Sequence, residues 1–426
     1  MSINERQTSF SPAGAACWPL ATWPDWRGGR NGWWDTNALW DFDAKGGRSM
    51  AGGSDVALSG LVAVARASTH LLANASGIYQ SFGNNVLARN DNVGAYVGGA
   101  RTNLCTNYNA NPTDLTNIAK YGDAAATLTV VDDATALAAA GLSNICSSGK
   151  VYKLDNSLGT GNALARIDGT TVGAYAYYQS IFIRMSGAGS AGTFGLMNGT
   201  NNGFTSAAGT FGNTSSYIRY SGTVNGDATA RAMGLRIPAG AIVYFILNTM
   251  SQAIFASPPI LTTGSAATRL ASDVTAANMA WFAPLDGVGA TEIVVPKWSH
   301  VGDGVDRPLF EYVKDANNYI RGYVNASDKP ALKIVSGGVT QTDTALTTAI
   351  TTGRKPLVFG WSASGGYIGD AAGNVATFGA VTLPSAIVTD RWGSSQAGNY
   401  LNDILERRAT LRNISQAQAL ALAAAA

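Results

Sequence analysis

The chain has 426 residues and a net charge of +2, and its length predicts two or three domains. Asp, Glu, Lys and Arg together make up 13% of the residues, whereas 46% are hydrophobic and 50 residues are glycine. This composition excludes a highly charged disordered chain and a coiled coil, and the charges are too scattered to indicate binding to nucleic acid or to an anionic membrane. A neutral, glycine-rich chain of this kind is typical of a β protein.

The cysteines and the apolar runs indicate which cellular environment to expect for the chain. Cys17, Cys105 and Cys146 are far apart and form no Cys-x-x-Cys pair, so we expect buried thiols rather than a disulfide framework or a zinc site. The first ten residues are polar, so we expect no signal peptide and synthesis in a cytoplasm. The longest apolar run, residues 241–247, is too short to cross a bilayer.

Residues 1–50 contain six of the ten tryptophans, with glycines between them. Their spacing follows neither the helical nor the strand period, which predicts an irregular N-terminal arm. So many large rings would make an exposed segment insoluble, so the arm either packs on the β domains of this chain or docks on a partner protein. Because tryptophan is common at the centre of interfaces, we favour docking. The candidate docking residues are Trp18, Trp23, Trp26, Trp33, Trp34 and Trp40.

The rest of the chain is predicted to be strands separated by turns. Residues 51–104 form a connecting β region with extended pieces at 56–61, 77–82 and 85–88. Residues 105–270 are predicted to form a first β-sandwich, with strands at 126–131, 175–185, 193–197, 216–220 and 241–247. Three dipeptides in it are typical of hairpin turns, namely Asn198-Gly199, Asn202-Gly203 and Asn225-Gly226.

Residues 271–426 are predicted to form a second sandwich. Its strands are expected at 279–282, 309–313, 318–324, 331–335, 356–361 and 367–369. Ser415 precedes an alanine-rich end, which predicts a short C-terminal helix with Ser415 as its N-cap. The predicted fold class is therefore all-β: two jelly-roll β-sandwiches after a Trp-rich arm, closed by a short helix.

Catalytic chemistry finds little support in the residues. His70 and His300 are the only histidines, and no nucleophile elbow or phosphate-binding loop is present. The four glutamates have no acidic residue two positions on, the spacing that would place a carboxylate pair on one strand face. Asp303 and Asp306 are weak candidates for calcium ligands or for an Asp-based glycan hydrolase. We therefore expect no enzyme activity and no cofactor, with calcium as the possible exception.

Non-catalytic β-sandwiches can bind sugars with aromatic rings that lie beside polar groups. Five aromatic residues of the second sandwich are candidates, and Tyr319 and Tyr323 are expected on one face of a strand. For each candidate, packing in the core is the competing explanation. The candidates are Trp298, Tyr319, Tyr323, Tyr367 and Trp392.

Three segments, taken in order, resemble parts of bacteriophage tail and head-fibre proteins. The first, within 61–104, has an Arg-Ala-Ser-Thr start and an Ala-Arg-Thr-Asn-Leu finish, although Gly98-Gly99 replaces the usual acidic residue. The second, residues 259–269, is similar to the segment that closes a carbohydrate-binding-module-like sandwich. The third resembles the end of a concanavalin A/laminin-G-like domain, with Asp403 where glycine is common. The residues that carry the resemblance are Arg66-Ala67-Ser68-Thr69, Gly77, Arg89, Asp91, Ala100-Arg101-Thr102-Asn103-Leu104, Pro259, Arg269, Leu383-Pro384, Gly393, Tyr400-Leu401-Asn402, Arg407-Arg408 and Leu411-Arg412-Asn413-Ile414-Ser415.

The resemblance implies a virion protein with two jelly-roll modules and implies no catalytic residues. The leading hypothesis is a fibre or spike adhesin that docks on the particle through residues 1–50 and binds a host-surface glycan or receptor. A capsid or tail decoration protein without host contact is the alternative, and a polysaccharide depolymerase is less favoured. The expected partners are other virion proteins, a host glycan or receptor and, by family, two further copies in a homotrimer.

Overall fold

In the computed structural model, the described residues are 38–43, 48–51, 54–90, 93–169, 173–187, 191–198, 203–226, 230–277, 279, 289–411 and 415–425. Their regular secondary structure is almost entirely β-strand, which confirms the predicted fold class. The strands are β1 (Ala38–Asp43), β2 (Arg48–Ala51), β3 (Ser54–Asp55), β4 (Val62–Ala65), β5 (His70–Ala73), β6 (Tyr79–Phe82), β7 (Arg89–Asn90), β8 (Gly94–Val97), β9 (Arg101–Asn103), β10 (Ile118–Gly122), β11 (Thr127–Asp132), β12 (Lys150–Asp155), β13 (Ala163–Asp168), β14 (Ala176–Gly187), β15 (Gly192–Asn198), β16 (Phe204–Phe211), β17 (Ile218–Asn225), β18 (Ala230–Ile237), β19 (Ala241–Gln252), β20 (Ala267–Arg269), β21 (Asp273–Ala276), β22 (Gly289–Trp298), β23 (Arg307–Asp315), β24 (Asn318–Val324), β25 (Pro330–Ser336), β26 (Val339–Ala345), β27 (Gly353–Ser362), β28 (Gly365–Asp370), β29 (Val375–Phe378), β30 (Thr389–Trp392), β31 (Asp403–Leu405) and β32 (Arg407–Leu411).

Helices are few and short in this part of the chain. They are α1 (Leu58–Leu61), α2 (Ala134–Ala139) and α3 (Gln416–Ala425). None of them is long and apolar enough to span a membrane.

The described residues form two compact units, each discontinuous in sequence. The central unit consists of Val64–Asn90 and Tyr96–Asp273. The terminal unit consists of the described residues within Met1–Ala63, Asp91–Ala95 and Val274–Ala426. The division into four consecutive segments stays a prediction.

The central unit contains a sandwich of two five-stranded antiparallel sheets. One has the order β10-β13-β18-β15-β16 and the other β11-β12-β19-β14-β17. Buried and partly exposed side chains alternate along β13, so Ala165 and Ile167 face the partner sheet. There they belong to one buried cluster with Leu235 of their own sheet and Val243 and Phe245 of the other. Burying each large apolar side chain stabilises the sandwich by about 1.5–3 kcal/mol.

The turns of this sandwich correct one hairpin prediction. β15 and β16 pair antiparallel, as Asn198-Gly199 and Asn202-Gly203 predict, although residues 199–202 lie outside the described part. The prediction for Asn225-Gly226 is wrong, because β17 pairs with β14 whereas β18 pairs with β13 and β15. The chain crosses between the sheets there, since local dipeptide preference cannot specify which strands pair.

Helix α2, which the sequence analysis did not predict, packs against one sheet of this sandwich. Leu137 of α2, with Leu142 and Ile145 after it, forms a buried cluster with Phe182 of β14 and Ile246 of β19. The side of this sheet that faces away from the sandwich core is therefore partly covered. The free thiols Cys105 and Cys146 are buried, as expected, and burial raises the pKa of each to about 12. Cys17 lies outside the described residues.

The terminal unit also contains two sheets, with an aromatic core between them. One is an eight-stranded sheet in the order β29-β28-β27-β22-β32-β1-β2-β3, and the other includes the run β26-β25-β24-β23-β30-β21. Phe310 of β23 lies 5.3 Å from Phe359 of β27, and Tyr312 lies 5.4 Å from Trp361, measured between ring centroids. Edge-on and tilted contacts of this kind stabilise a core beyond the area that they bury.

The structure differs from the sequence-based prediction in four short segments. Residues 38–43 and 48–51, predicted as part of the irregular arm, are strands β1 and β2, and β1 pairs with β32. Residues 56–61 contain helix α1 instead of an extended piece, and residues 85–88 are not a strand. The tryptophan spacing hid β1, because Trp40 and Phe42 lie in a stretch rich in aromatic and acidic residues.

The C-terminal helix has the predicted cap. The backbone N–H of Gln418 donates to Ser415 Oγ at 3.3 Å, and the N–H of Ser415 donates to Gln418 Oε1 at 2.8 Å. This reciprocal pair is a capping box. Ala419 and Ala423 of the helix are buried against β27 and β28, in one cluster with Val358 and Tyr367.

Candidate functional site

A row of four charged side chains crosses β23 to β26 on one face of the terminal unit. Antiparallel register places Glu311 beside Arg321, Arg321 beside Lys333, and Lys333 beside Asp343. We call these four residues the charged row. They lie on the face opposite to Ile320 and Phe310, which are buried in the core. Tyr319 and Tyr323 flank Arg321 on the same face, as the sequence predicts for residues two apart on a strand.

The row is buried at one end and open to solvent at the other. Glu311 is completely buried, whereas the side chain of Asp343 is 38% exposed. Arg321 binds Glu311 through Nε at 2.8 Å and Nη2 at 2.5 Å, a double contact that fixes the plane of the guanidinium. The second oxygen of Glu311 accepts the backbone N–H of Gln396 at 2.6 Å. Glu311 is thereby satisfied by protein groups.

The open end of the row is held by two partners. Asp343 accepts a hydrogen bond from the Tyr323 hydroxyl at 2.6 Å. It also forms an ion pair with Lys333, whose Nζ lies 3.0 Å away. Burial, followed by the hydrogen bond to Asp343, raises the pKa of Tyr323. The phenol therefore stays protonated and keeps donating to the carboxylate. A carboxylate fixed on both oxygens and still partly exposed can accept further hydrogen bonds from a ligand.

Tyr319 is the aromatic side chain of this face that stays partly exposed. The Arg321 guanidinium carbon lies 4.8 Å from the centroid of its ring, a cation–π contact. The ring is thus held in place by a residue that is itself fixed by Glu311. The arrangement combines an apolar ring surface with a charged donor and a charged acceptor.

Three other predicted glycan-binding residues offer no ring surface to solvent. Trp392 is completely buried and packs on Phe42, with ring centroids 5.3 Å apart. Trp298 is equally buried, with its ring against His300. Tyr367 lies beneath helix α3, and burial raises the pKa of its hydroxyl. At these three positions the rings pack in the core, which is the competing explanation, and the structure gives no support for glycan binding there.

The weak metal candidates bind protein donors instead. Asp303 Oδ2 accepts from Arg307 Nη2 at 2.6 Å and lies 3.3 Å from His300 Nδ1. Burial raises the pKa of Asp303, but hydrogen bonds from His300 and Arg307 outweigh it and lower the pKa overall. Asp306 accepts the backbone N–H of Ala326 at 2.9 Å. No group of three potential metal ligands occurs among the residues that the structure describes.

Most of the predicted docking residues lie outside the part of the chain that the structure describes. Trp18, Trp23, Trp26, Trp33 and Trp34 lie outside the described residues. Trp40 lies on β1, where its backbone is paired with Ala51 on one side and Thr410 on the other. The docking role stays a prediction.

The sequence analysis missed the charged row itself. Arg321 sits between two tyrosines on an alternating strand, which indicates a polar face. Lys333 and Asp343 are the only residues of their strands that extend the row, and only the strand register reveals this. A single sequence carries no direct signal for register across four strands.

Comparison with known proteins adds weak structural resemblance. No family model matches the chain, and no curated protein matches it. The sialidase CBM40 of Ruminococcus gnavus bound to α2,3-sialyllactose shares 12% identity, with 32% of this chain and 82% of that chain covered and a TM-score of 0.27. Domain 4 of AbnA, a GH43 extracellular arabinanase from Geobacillus stearothermophilus, in complex with arabinotriose, shares 14%, with 55% and 87% covered and a TM-score of 0.29. The CBM22 tandem of Paenibacillus barcinonensis Xyn10C shares 9%, with 75% and 100% covered and a TM-score of 0.25. Similarity at these values is too weak to support a functional argument.

Proposed function

We propose that this chain is a host-attachment subunit of a bacteriophage fibre or spike, and that Tyr319 and the exposed end of the charged row, Lys333 and Asp343, bind a glycan on the host surface. The observation that carries the proposal is the fixed but partly exposed Asp343–Lys333 pair beside a partly exposed ring. The virion role rests on the resemblance of the three sequence segments to phage fibre proteins.

The chemistry of the face suits a sugar. Each sugar hydroxyl both donates and accepts hydrogen bonds, and Asp343 and Lys333 supply a charged acceptor and a charged donor side by side. Hydrogen bonds to charged groups are roughly twice as strong as those between neutral groups. The ring of Tyr319 offers an apolar surface for the C–H face of a pyranose.

Preorganisation separates this face from an ordinary surface ion pair. An isolated exposed pair contributes about 0–1 kcal/mol and moves freely. Here the Tyr323 hydroxyl orients Asp343, and Glu311 orients Arg321 against Tyr319. A ligand therefore loses less side-chain entropy on binding, which increases affinity without new contacts.

The virion context explains the remaining features of the chain. Residues 1–50 contain the tryptophans that we assign to docking on the particle. The family resemblance implies a homotrimer. A fibre then presents several copies of the glycan face, which raises avidity for a multivalent host surface.

The test uses the full-length chain on a glycan array and in adsorption to host cells. Asp343→Asn and Lys333→Gln remove one charge each from partly exposed positions. Lys153 and Asp155 provide the matched control, since they form an ion pair of 2.8 Å with similar exposure in the central unit. We expect an affinity about tenfold lower, or about 1.4 kcal/mol, for the first two variants, and unchanged binding for Asp155→Asn and Lys153→Gln.

Three results would contradict the proposal. Equal glycan binding by all four variants would show that the charged row is not part of the binding site. A chain that is incorporated into particles but binds no host glycan or receptor would be a decoration protein. Release of reducing ends from host capsule or lipopolysaccharide would make the chain a depolymerase.

A further inference from the structure

The central unit contains a buried group of basic side chains around one tyrosine. Arg66, His70 and Arg269 are at most 3% exposed, and Tyr96 is also buried. The guanidinium carbon of Arg269 lies 5.2 Å from the Tyr96 ring centroid, and the His70 ring lies 4.7 Å from it. We call these four residues the basic cluster.

Strand pairing brings the cluster together from distant parts of the sequence. β20 pairs with β9, so that Arg269 lies opposite Arg101. His70 begins β5, directly after the segment that starts with Arg66. The first two segments that resemble phage fibre proteins, far apart in sequence, therefore supply the residues that meet around Tyr96.

Each nitrogen of the Arg66 guanidinium donates to a neutral group. Nε donates to Ser68 O at 2.7 Å, Nη2 donates to Val86 O at 2.8 Å, and Nη1 donates to Ser272 Oγ at 3.2 Å. These bonds tie two loops to the arginine but do not neutralise its charge. Burial, and then the charge of Arg269, lower the pKa of Arg66 to about 10.

Arg269 has donors left over. Its Nε and Nη1 have no hydrogen-bond partner, and Nη2 makes one long contact of 3.4 Å with the Tyr96 hydroxyl. Among the residues that the structure describes, no carboxylate forms an ion pair with Arg269 or with Arg66. Two buried positive charges without a counter-charge strongly destabilise a folded protein.

His70 adds a third unused group. Neither of its ring nitrogens has a hydrogen-bond partner. A neutral imidazole carries one N–H, so the ring has a donor available beside the same tyrosine as Arg269. Buried polar groups are almost always hydrogen-bonded, so four unpartnered nitrogens on two neighbouring side chains indicate that a ligand completes the cluster.

We propose that the basic cluster binds a small inorganic anion, with chloride as the simplest case, held by Arg269 Nε and Nη1 and by the N–H of His70. The anion supplies the negative charge that the surrounding residues lack. A water molecule could satisfy the donors but would leave the two guanidinium charges uncompensated. The nearly complete burial of all four side chains restricts the ligand to an ion of one or a few atoms.

The test is the thermal stability of the full-length chain in sodium chloride and in sodium gluconate at equal ionic strength. A ligand that binds only the folded state raises Tm, and in excess of ligand the increase grows with the logarithm of the ligand concentration. We expect Tm to be a few degrees higher in chloride, and the difference to disappear in Arg269→Met. The matched control is Arg236→Met, because Arg236 is an exposed arginine of the same unit. This variant should keep the chloride effect.

A second measurement covers the case in which Arg269→Met does not fold. Anomalous scattering from crystals of the wild-type chain grown in bromide should show a peak beside the Arg269 guanidinium. Equal Tm in chloride and gluconate for the wild type would overturn the proposal. An equal chloride effect in the wild type and in Arg269→Met, or a bromide density map without a peak in the cluster, would do the same.

Discussion

Arg408 and Asp390 form an ion pair of 2.5 Å in which both side chains are completely buried. Arg408 lies on β32 of the eight-stranded sheet, and Asp390 lies on β30 of the facing sheet, so the pair links the two layers of the terminal unit. The guanidinium also lies over the rings of Phe310, Tyr312 and Trp392 at 5.3–5.4 Å. A charged contact therefore lies in the middle of an aromatic core.

Removing one partner of this pair should be costly. Arg408→Met leaves the buried carboxyl of Asp390 without its partner, and we expect a loss of about 3–5 kcal/mol in the free energy of unfolding, measured by urea denaturation. The double variant Arg408→Met/Asp390→Leu should lose less than Arg408→Met alone, because no buried carboxyl is left without a partner. A single variant within about 1 kcal/mol of the wild type would contradict this account.

His70 should make stability depend on pH. Burial, followed by the charges of Arg269 and Arg66, lowers its pKa well below 6.5 in the folded chain. The unfolded chain takes up the proton at about pH 6.5, so this contribution to stability is complete above that pH and is lost as the pH falls. The loss should approach about 1.4 kcal/mol per pH unit.

The measurement is urea denaturation of the wild type and of His70→Gln between pH 7.5 and 5. The wild type should lose stability more steeply than the variant over this range. Parallel curves for the two proteins would show that His70 is protonated in the folded state after all.

Gly322 has no room for a side chain. A Cβ at this position on β24 would lie 2.1 Å from Phe310, which packs on Phe359 in the core. We expect Gly322→Ala to lower the free energy of unfolding by about 1–3 kcal/mol through overpacking. Gly379→Ala, where a Cβ meets nothing within 4 Å, is the control and should be nearly neutral. Equal stability of the two variants in urea would show that the core yields easily.

Deleting residues 1–37 should separate docking from folding, because the deletion removes no described strand. We expect the shortened chain to keep the unfolding midpoint and, by light scattering, the oligomeric mass of the full-length chain, and to be lost from assembled particles. Incorporation at the wild-type level would remove the docking role from the five tryptophans that precede residue 38. If the shortened chain were a monomer and the full-length chain an oligomer, the contacts between copies would lie in the deleted residues.

Strand positions followed from local sequence wherever alternation was clear. Residues 318–324 were predicted as a strand and form β24, because tyrosine, isoleucine and arginine alternate there with period two. Helix α1 and strand β1 escaped prediction because both are short: α1 is a single turn, and the alternation in β1 covers only Trp40 to Asp43 within a Trp-rich segment. Which strands pair was not predictable from sequence, as Asn225-Gly226 shows, because pairing depends on contacts between distant residues.

The site was only half predictable for the same reason. Tyr319 and Tyr323 share a face by strand geometry alone, whereas their charged partners lie on other strands. Trp298 and Trp392 were plausible binding residues by type, but large rings on strands of a two-layer fold also fill the core. Residue type does not decide between these two uses; the direction of the side chain does.

The pairing of β1 with β32 fixes when the terminal unit can be completed during synthesis. Asp41 lies opposite Ala409, so the ribosome must have delivered the chain as far as β32 before the eight-stranded sheet can close. The central unit ends at Asp273 and can fold while the remainder is still being translated. Until β32 emerges, the early strands β1 to β3 lack this partner and keep an unpaired edge, which makes the nascent chain prone to aggregate during that interval.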